Sequence, residues 1–313
     1  MNTSIQDAYN LGWKLRLVLS QQQRKQQQQQ KQEQAQGRWR GAAEALLRTY
    51  ETERRPVALD LIAFDRGYLQ LFSARGRGRT AQQAEEKEMR FDGELHGAMK
   101  FTTGLSIRYA PSCVVRLPRG VRAGELGPSL LKADLVPGKR LQDVQVVCQA
   151  DGVTTRIQNR MRATGAFRVV AFAGDIAIPG LLGRLQRLGE FLADPVAGLG
   201  ELTMAPAESP FAVWEKLPVE VLVVHCAERE QVNLLELHEV FVPWSSDDGY
   251  DYWRVYADTE STHDGHGRAY ERLELDREKG CVAVIRPDGY VGAVVDMDDF
   301  EGLKGCFEGV GLL

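Results

Sequence analysis

Residues 1–20 read MNTSIQDAYNLGWKLRLVLS, a pattern that predicts a helix with one buried face. Asn2, Thr3 and Ser4 are each suited to the N-cap, and Asp7 would place a carboxylate in the first turn, where the helix dipole favours it. Glycine costs about 1 kcal/mol relative to alanine inside a helix, so Gly12 suggests a close neighbour. The apolar residues expected to face the interior are Ile5, Ala8, Leu11 or Gly12, Leu15 and Leu19.

A glutamine-rich tract at residues 21–36 follows this helix. Such a tract buries little apolar surface, so we expect a solvated insertion that leans towards helix or is disordered. Residues 41–72 return to a helical pattern, in which Pro56 removes a backbone donor and is expected to kink or break the helix. Arg54 and Arg55 have two open interpretations: they pair with carboxylates of another domain, or they form a solvated face.

From about Tyr109 the pattern changes to strands that alternate with helices. The apolar runs that predict strands are bounded by turn residues, and the segment 154–161 is compatible with either a strand or a helix. Strands are predicted at residues 144–148, 167–172, 219–224, 282–286 and 291–294, and helices at residues 179–192 and 298–307. The turn Pro287-Asp288-Gly289-Tyr290 predicts a hairpin of the last two strands. This order of elements is typical of a thioredoxin-like domain.

The site that gives a thioredoxin its redox chemistry is absent from this pattern. A redox thioredoxin would carry Cys-x-x-Cys between its first long strand and the helix that follows, at residues 172–179 here. That segment holds no cysteine, so dithiol exchange is excluded by its chemistry. Cys148 and Cys226 lie in strand-like apolar runs, and we interpret them as small buried hydrophobic residues.

The charge, the apolar runs and the cysteine content indicate which classes of protein this chain does not resemble. The 313 residues have a net charge of −4, with positive charge dominating residues 1–108 and negative charge dominating residues 109–313. This asymmetry fits two domains better than one nucleic-acid-binding face, and the short RGRGR patch at residues 75–79 is interpreted as an exposed loop. No apolar run reaches about 18 residues and no signal-peptide pattern is present, so we expect a cytoplasmic protein without membrane contact. Five widely spaced cysteines indicate reduced thiols.

An acidic segment at residues 243–276 contains aspartates and histidines, which are the residue types of metal sites. His263 and His266 lie three residues apart in a glycine-containing loop, which is a poor preformed zinc site. The aspartates of the segment lack the spacing of a calcium loop. We therefore predict a loop insertion without a metal, and no residue of the chain is assigned a catalytic role.

Three blocks of the sequence resemble one family. They are MNTSIQDAYNLGWKL at residues 1–15, LLRTYETERRPVA at residues 46–58 and PGKRLQDV at residues 137–144. In this order they resemble the FAD-dependent aromatic hydroxylases, most closely the phenol 2-monooxygenase branch.

The resemblance implies an α/β chain in which a helical remnant of a FAD-binding domain precedes a thioredoxin-like α/β domain without Cys-x-x-Cys. The first part would be residues 1–108, with the insertion at 21–36, and the second residues 109–313. The start of the first helix, Met1, Asn2 and Thr3, would contact the pyrimidine edge of the flavin through free backbone N–H groups. FAD and NADPH would be the cofactors, a small phenol-type aromatic molecule the substrate, and a second copy of the chain the partner.

One element of the family's pattern is missing from these residues. No Gly-x-Gly-x-x-Gly follows a strand-like run, so the sequence predicts a C-terminal portion that lacks the FAD-binding half. On that basis, residues 110–313 are expected to fold alone, and the helices before them are expected to expose apolar faces. Two functions stay open: part of a hydroxylase, or a non-catalytic thioredoxin-like interaction module.

Overall fold

Two long helices begin the fold, and a mixed sheet follows them. The computed structural model describes residues 2–27, 33–73, 103–121, 135–203, 219–245 and 249–313. The helices are α1 (Asn2–Gln27) and α2 (Glu33–Ser73). Residues 28–32 of the glutamine-rich tract and the RGRGR patch at 75–79 lie outside the described residues. Gln21 is buried, so the start of the tract is packed rather than solvated.

The central sheet has seven strands within the described residues. They are β1 (Gln145–Cys148), β2 (Thr154–Arg156), β3 (Phe167–Gly174), β4 (Val219–His225), β7 (Val255–Ala257), β10 (Cys281–Ile285) and β11 (Val291–Val295). Their order across the sheet is β11-β10-β3-β4-β7-β1-β2. β4 pairs parallel with both β3 and β7, and the other neighbours pair antiparallel. The strands predicted from the apolar runs, including the hairpin, are confirmed.

The remaining elements surround this sheet. Two short hairpins are formed by β5 (Trp244–Ser245) with β6 (Gly249–Tyr250) and by β8 (Glu260–Ser261) with β9 (Gly265–His266). The shorter helices are α3 (Ile157–Arg160), α4 (Pro179–Ala193), α5 (Gly200–Thr203), α6 (Ala269–Arg272) and α7 (Phe300–Glu308). Both predicted helices are therefore confirmed, as α4 and α7. The ambiguous segment 154–161 contains β2 followed by α3.

Most residues of β3, β4, β7, β10 and β11 are apolar, because both faces of the sheet are covered. Along β3, Val169 and Ala171 face one core, and Val170 and Phe172 face the other. The first core also holds apolar residues of α4, α7 and the two long helices, namely Leu185, Leu188, Leu192, Leu303, Phe307, Trp13, Leu17, Leu46 and Val57. α1 and α2 therefore pack on the sheet of this chain, while other apolar residues of these helices stay exposed, as expected, among them Ile5, Leu19, Leu59 and Ile62.

α1 buries a different face from the predicted one. Trp13 and Leu17 are buried, and the Trp13 ring meets Phe167 of β3 edge-on, with 5.6 Å between centroids. Ile5, at 61% exposure, and Leu19, at 56%, face solvent together with Ala8, Gly12 and Leu15. The sequence carries two apolar stripes, and only the position of the sheet decides which one is covered. The close neighbour expected at Gly12 is not there: apart from adjacent residues and the backbone of α1 itself, no described heavy atom lies within 4 Å of the place a Cβ would take.

α2 runs without interruption through Pro56, which corrects the predicted break. Proline removes the N–H that would bond to the carbonyl of Thr52, four residues earlier. Thr52 and Pro56 are both exposed, so water can bond to that carbonyl and the helix continues. Val57, the next residue, is buried in the core that α2 shares with the sheet.

The acidic segment 243–276 is not a loop insertion, which corrects another prediction. It contains β7, which lies inside the sheet between β4 and β1, as well as β8, β9 and α6. The run Val255-Tyr256-Ala257 is too short to stand out between acidic residues, yet all three side chains are buried. Among the described helices, none combines the length and the apolar character needed to cross a bilayer.

A pair of substitutions on α1 tests which of its faces is covered. We expect Trp13→Ala to lower the free energy of unfolding by about 3–5 kcal/mol, because it empties a site in the core. Leu15→Ala, two residues away on the exposed side, should change it by less than about 0.5 kcal/mol. Urea unfolding of both variants measures the difference. Equal losses would show that the two faces are equally buried.

Candidate functional site

The start of α1 is the predicted cofactor contact. The helix already includes Asn2, Thr3 and Ser4, so none of these three residues precedes it as an N-cap. Met1 lies outside the described residues. The first N–H groups of any α-helix have no partner within the helix, and the positive end of its dipole favours an anion there.

The first turn of α1 contains no acidic residue. Asp7, which was expected in that turn, lies in the next one because the helix begins at Asn2. Its carboxylate accepts a hydrogen bond from Nε of Arg54 at 2.5 Å, which neutralises it. The start of α1 therefore presents backbone donors without a competing carboxylate of its own. Of the two interpretations for Arg54, pairing is correct, although the partner is in α1 rather than in another domain.

Behind this helix start lies a buried group of charges, which we call the charge cluster: Asn10 and Lys14 of α1, Glu53 of α2, and Arg286 and Asp288 after β10. Arg286 donates two hydrogen bonds to Glu53, at 2.5 and 2.9 Å, and two to Asp288, at 3.0 and 2.6 Å. Nζ of Lys14 donates to Glu53 and to Asn10, both at 2.8 Å. Two cations and two carboxylates thus balance in a site from which water is excluded.

The pKa values in the charge cluster follow from this balance. Burial alone would lower the pKa of Arg286, but Asp288 and Glu53 raise it above its ordinary value. Burial would raise the pKa of Glu53, but Arg286 and Lys14 hold it below the usual range. Lys14 is the exception, because burial lowers its pKa to about 8 in spite of the attraction of Glu53. Arg286 and Glu53 therefore stay charged at neutral pH.

Aromatic rings enclose the Arg286 guanidinium. Its carbon lies 5.3 Å from the ring centroid of Trp13, 5.0 Å from that of Tyr109 and 5.7 Å from that of Tyr290. A cation over an aromatic face is attracted by the ring quadrupole, most strongly where water is excluded. The rings also form the walls that desolvate the charge cluster, so they strengthen each charged hydrogen bond inside it.

A tight turn after β10 holds Arg286 and Asp288, the two residues that the sheet contributes to the charge cluster. The amide of Gly289 donates to the carbonyl of Arg286 at 2.9 Å, and the amide of Arg286 donates to the carbonyl of Tyr290 at 2.8 Å. Gly289 has a φ of +80°, which a residue with a side chain adopts only at a cost, so glycine suits this position. The predicted hairpin turn is thus also the anchor of the charge cluster.

Sequence reasoning did not find the charge cluster. Arg286 and Glu53 are separated by 233 residues, so no local pattern links them. One feature of the sequence could have indicated the cluster, namely polar residues placed among apolar ones. Asn10 and Lys14 lie close to Trp13, and Arg286 directly follows the apolar run of β10. A charge in a buried position needs a partner, but the sequence does not say which residue supplies it.

Two side chains of the acidic segment that are of metal-binding types, Asp258 and His266, make contacts within the protein. Asp258 accepts hydrogen bonds from the amides of Ala269 and Tyr270, at 2.8 and 2.9 Å, and so caps the start of α6. His266 lies 3.6 Å from the same carboxylate. No group of three or more His, Cys, Asp or Glu side chains in the described part of the chain is arranged to hold a metal ion.

The family can now be assigned by comparison with known proteins. Residues 107–312 match the model of the family described as phenol hydroxylase, C-terminal dimerisation domain. The chain belongs to this family. The match begins just before the first residues of the α/β part and includes the whole sheet. It confirms the resemblance to the phenol hydroxylases that the three sequence blocks indicated.

Relatives extend the similarity to the helices. Phenol 2-monooxygenase fsqG of Aspergillus fumigatus is 38% identical over 314 residues, which cover 99% of this chain and 44% of that protein. FAD-dependent monooxygenase terD of Aspergillus terreus is 30% identical, with coverage of 98% and 45%. Among solved structures, the flavin-dependent monooxygenase PieE in complex with FAD and substrate shows 17% identity and a TM-score of 0.48, with coverage of 99% and 44%. The chain spans less than half the length of each of these three proteins.

Removing Arg286 should be far more costly than removing an exposed arginine. Arg286→Met leaves Glu53 and Asp288 as buried charges with too few partners, and we expect the free energy of unfolding to fall by about 3–5 kcal/mol. Arg55→Met is the control, because Arg55 pairs with Glu51 in a solvated pair and should contribute less than about 1 kcal/mol. Chemical denaturation compares the two variants. Similar losses of stability would mean that the charge cluster does not hold the helices and the sheet together.

Lys14 gives the charge cluster a pH dependence with a definite sign. Its pKa falls from the ordinary value of 10.5 to about 8 on folding, so the unfolded chain binds more protons between these values. The contribution of Lys14 to the free energy of unfolding therefore rises with pH across this window. The difference in stability between the native chain and Lys14→Met should shift in favour of the native chain from pH 8 to pH 10.5. A difference that stays constant between pH 8 and pH 10.5 would contradict the assignment.

Proposed function

We propose that this chain is part of a FAD-dependent monooxygenase that hydroxylates phenol-type aromatic molecules. The observation that carries the proposal is the 38% identity to a phenol 2-monooxygenase, which extends over 99% of the chain. The relatives reported above that carry this similarity are all named as monooxygenases, which disfavours a non-catalytic interaction module. The chain corresponds to the C-terminal portion of these relatives, because a C-terminal domain model matches residues 107–312.

The start of α1 is proposed to face the flavin. Met1, Asn2 and Thr3 would hold the pyrimidine edge of FAD through backbone N–H groups, as the resemblance implies. The first turn fits this role because it lacks an acidic residue and because Arg54 neutralises Asp7. When bound, FAD supplies the reaction with O₂ that delivers an oxygen atom to the aromatic ring. The amides of α1 stabilise negative charge at the ring edge without donating a proton, and NADPH is the proposed reductant.

The α/β part, residues 109–313, is proposed to be a thioredoxin-like domain that joins two copies of the chain. The order β11-β10-β3-β4, with α4 between β3 and β4 and α7 after β11, supports this fold. The loop from β3 to α4, residues 175–178, holds no cysteine, so its role is structural rather than redox. The description of the matched family as a dimerisation domain supports a homodimer.

Oxygen incorporation tests the proposed activity. The native protein, with whatever sequence accompanies these residues, is purified, saturated with FAD and supplied with NADPH, phenol and ¹⁸O₂. We expect a hydroxylated product that carries one labelled oxygen atom. If the protein binds no flavin and yields no labelled product from any of a panel of simple phenols, the proposal is contradicted.

A substitution in the first turn tests the flavin contact. Thr3→Asp places a carboxylate at the helix start, which favours the helix but opposes negative charge on a neighbouring flavin. We expect hydroxylation to slow by about tenfold, equivalent to about 1.4 kcal/mol, relative to the uncharged control Thr3→Asn. Equal rates for the two variants would place the flavin away from this turn.

A further inference from the structure

We propose that the turn between β10 and β11, residues 286–288, positions the flavin-facing end of α1. The inference rests on the proposed function, because it concerns where the first turn of α1 lies relative to FAD. Arg286 and Asp288 are positioning residues in this account. They belong to the α/β part of the chain and act on the flavin through α1 rather than by contact with it.

The turn makes three direct hydrogen bonds to α1. Tyr9 donates its hydroxyl proton to the carbonyl of Pro287 at 2.9 Å. Nδ2 of Asn10 and Nε1 of Trp13 both donate to Oδ2 of Asp288, at 3.2 and 3.0 Å. These donors occupy one side of the helix over little more than one turn. A rotation of α1 by one residue, about 100°, would break all three bonds together.

The carboxylate that receives two of these bonds is itself fixed. Asp288 is held by two hydrogen bonds from Arg286, and Arg286 is held by two more from Glu53 of α2. Lys14 of α1 closes the circuit, since it donates to the same Glu53. Every member of this circuit is buried, so a displaced donor or acceptor has no water to bond to. These hydrogen bonds therefore fix both the rotation of α1 about its axis and its position along that axis.

The other side of α1 supplies no comparable constraint within the described residues. Ile5, Leu15 and Leu19 are all at least 40% exposed there. Tyr9 lies seven residues after Asn2, a distance of about 10 Å along the helix. An α-helix is stiff over such a length, so a shift at Tyr9 and Asn10 moves the amides of the first turn by a similar amount. The sheet turn, together with the bond from Arg54 of α2 to Asp7, therefore determines the position of those amides.

A variant that shifts the first turn of α1 keeps its backbone amides but changes their position relative to the flavin, and this has its own kinetic and redox effects. The amides would still be present but would meet the flavin at a poorer distance and angle, which weakens their stabilisation of negative charge. Misplacement of a catalytic group by about 1 Å can cost about a hundredfold in rate. The expected defect is in kcat and in the reduction potential of the flavin, while KM for the phenol stays close to the native value.

The test uses the native flavin-loaded protein and two independent variants. Asp288→Asn keeps the shape of the side chain but removes its charge, and Asp264→Asn, in an exposed turn, is its control. Because Asp288→Asn can reduce folding, the second variant is Tyr9→Phe combined with Trp13→Phe, which deletes two hydrogen bonds to the turn and keeps apolar rings in place. Tyr250→Phe, at an exposed site, is the control for it.

In both variants we expect a more negative flavin midpoint potential and a kcat at least about fivefold lower, with the controls unchanged. A lower unfolding midpoint with an unchanged potential in the folded protein would overturn the inference, because it would show a structural role alone. If Thr3→Asp alters the flavin while the turn variants do not, only the positioning inference fails. If the native protein shows no flavin binding, the proposed function fails, and this inference fails with it.

Discussion

A fully buried arginine is the constraint on which this structure depends. Arg286 ends a strand of apolar residues, and its guanidinium has no exposed surface. A cation in such a place is tolerated only when carboxylates surround it, because its hydration energy is lost. Asp288 supplies one carboxylate from the same turn, and Glu53 supplies the other from a helix far away in the sequence. The ion pairs of Arg286 therefore connect the helices to the sheet, and the position of each part depends on the other.

This connection between Arg286, Asp288 and Glu53 affects both the helices and the sheet. Towards the helices, it sets which face of α1 is buried, since Asn10 and Lys14 must reach the carboxylates. Towards the sheet, it places Trp13 against Phe167 and so adds the helices to one of the two cores. Burial of paired charges in general adds little net stability, whereas leaving one charge unpaired is costly. In this chain the charge cluster thus specifies a single docked arrangement, while the apolar contacts supply the stabilisation.

Much of the fold could be predicted from the sequence, and the errors have a common cause. The run Phe167 to Phe172 and the Pro287–Tyr290 turn carry local signals that hold in any context, and the structure contains both as predicted. The face of α1 was predicted wrongly because Ile5 and Trp13 are both apolar, and only a distant partner selects between them. The charge cluster was missed for the same reason. β7 was missed because three apolar residues are too few to form a recognisable pattern. For the flavin contact, the sequence supplied the helix start at Asn2 and Thr3 through family resemblance, and physical reasoning alone would have supplied only a helix terminus.

Hydrogen exchange of the whole chain, followed residue by residue, tests the central claim that helices and sheet form one cooperative unit. Amides of α1 around Trp13 and Leu17 are compared with those of β3 around Val169 and Val170. If the charge cluster joins the two parts, both sets exchange only by global unfolding, with the same free energy and the same response to denaturant. Fast exchange in α1 beside slow exchange in β3 would show that the helices open independently, and would contradict the account.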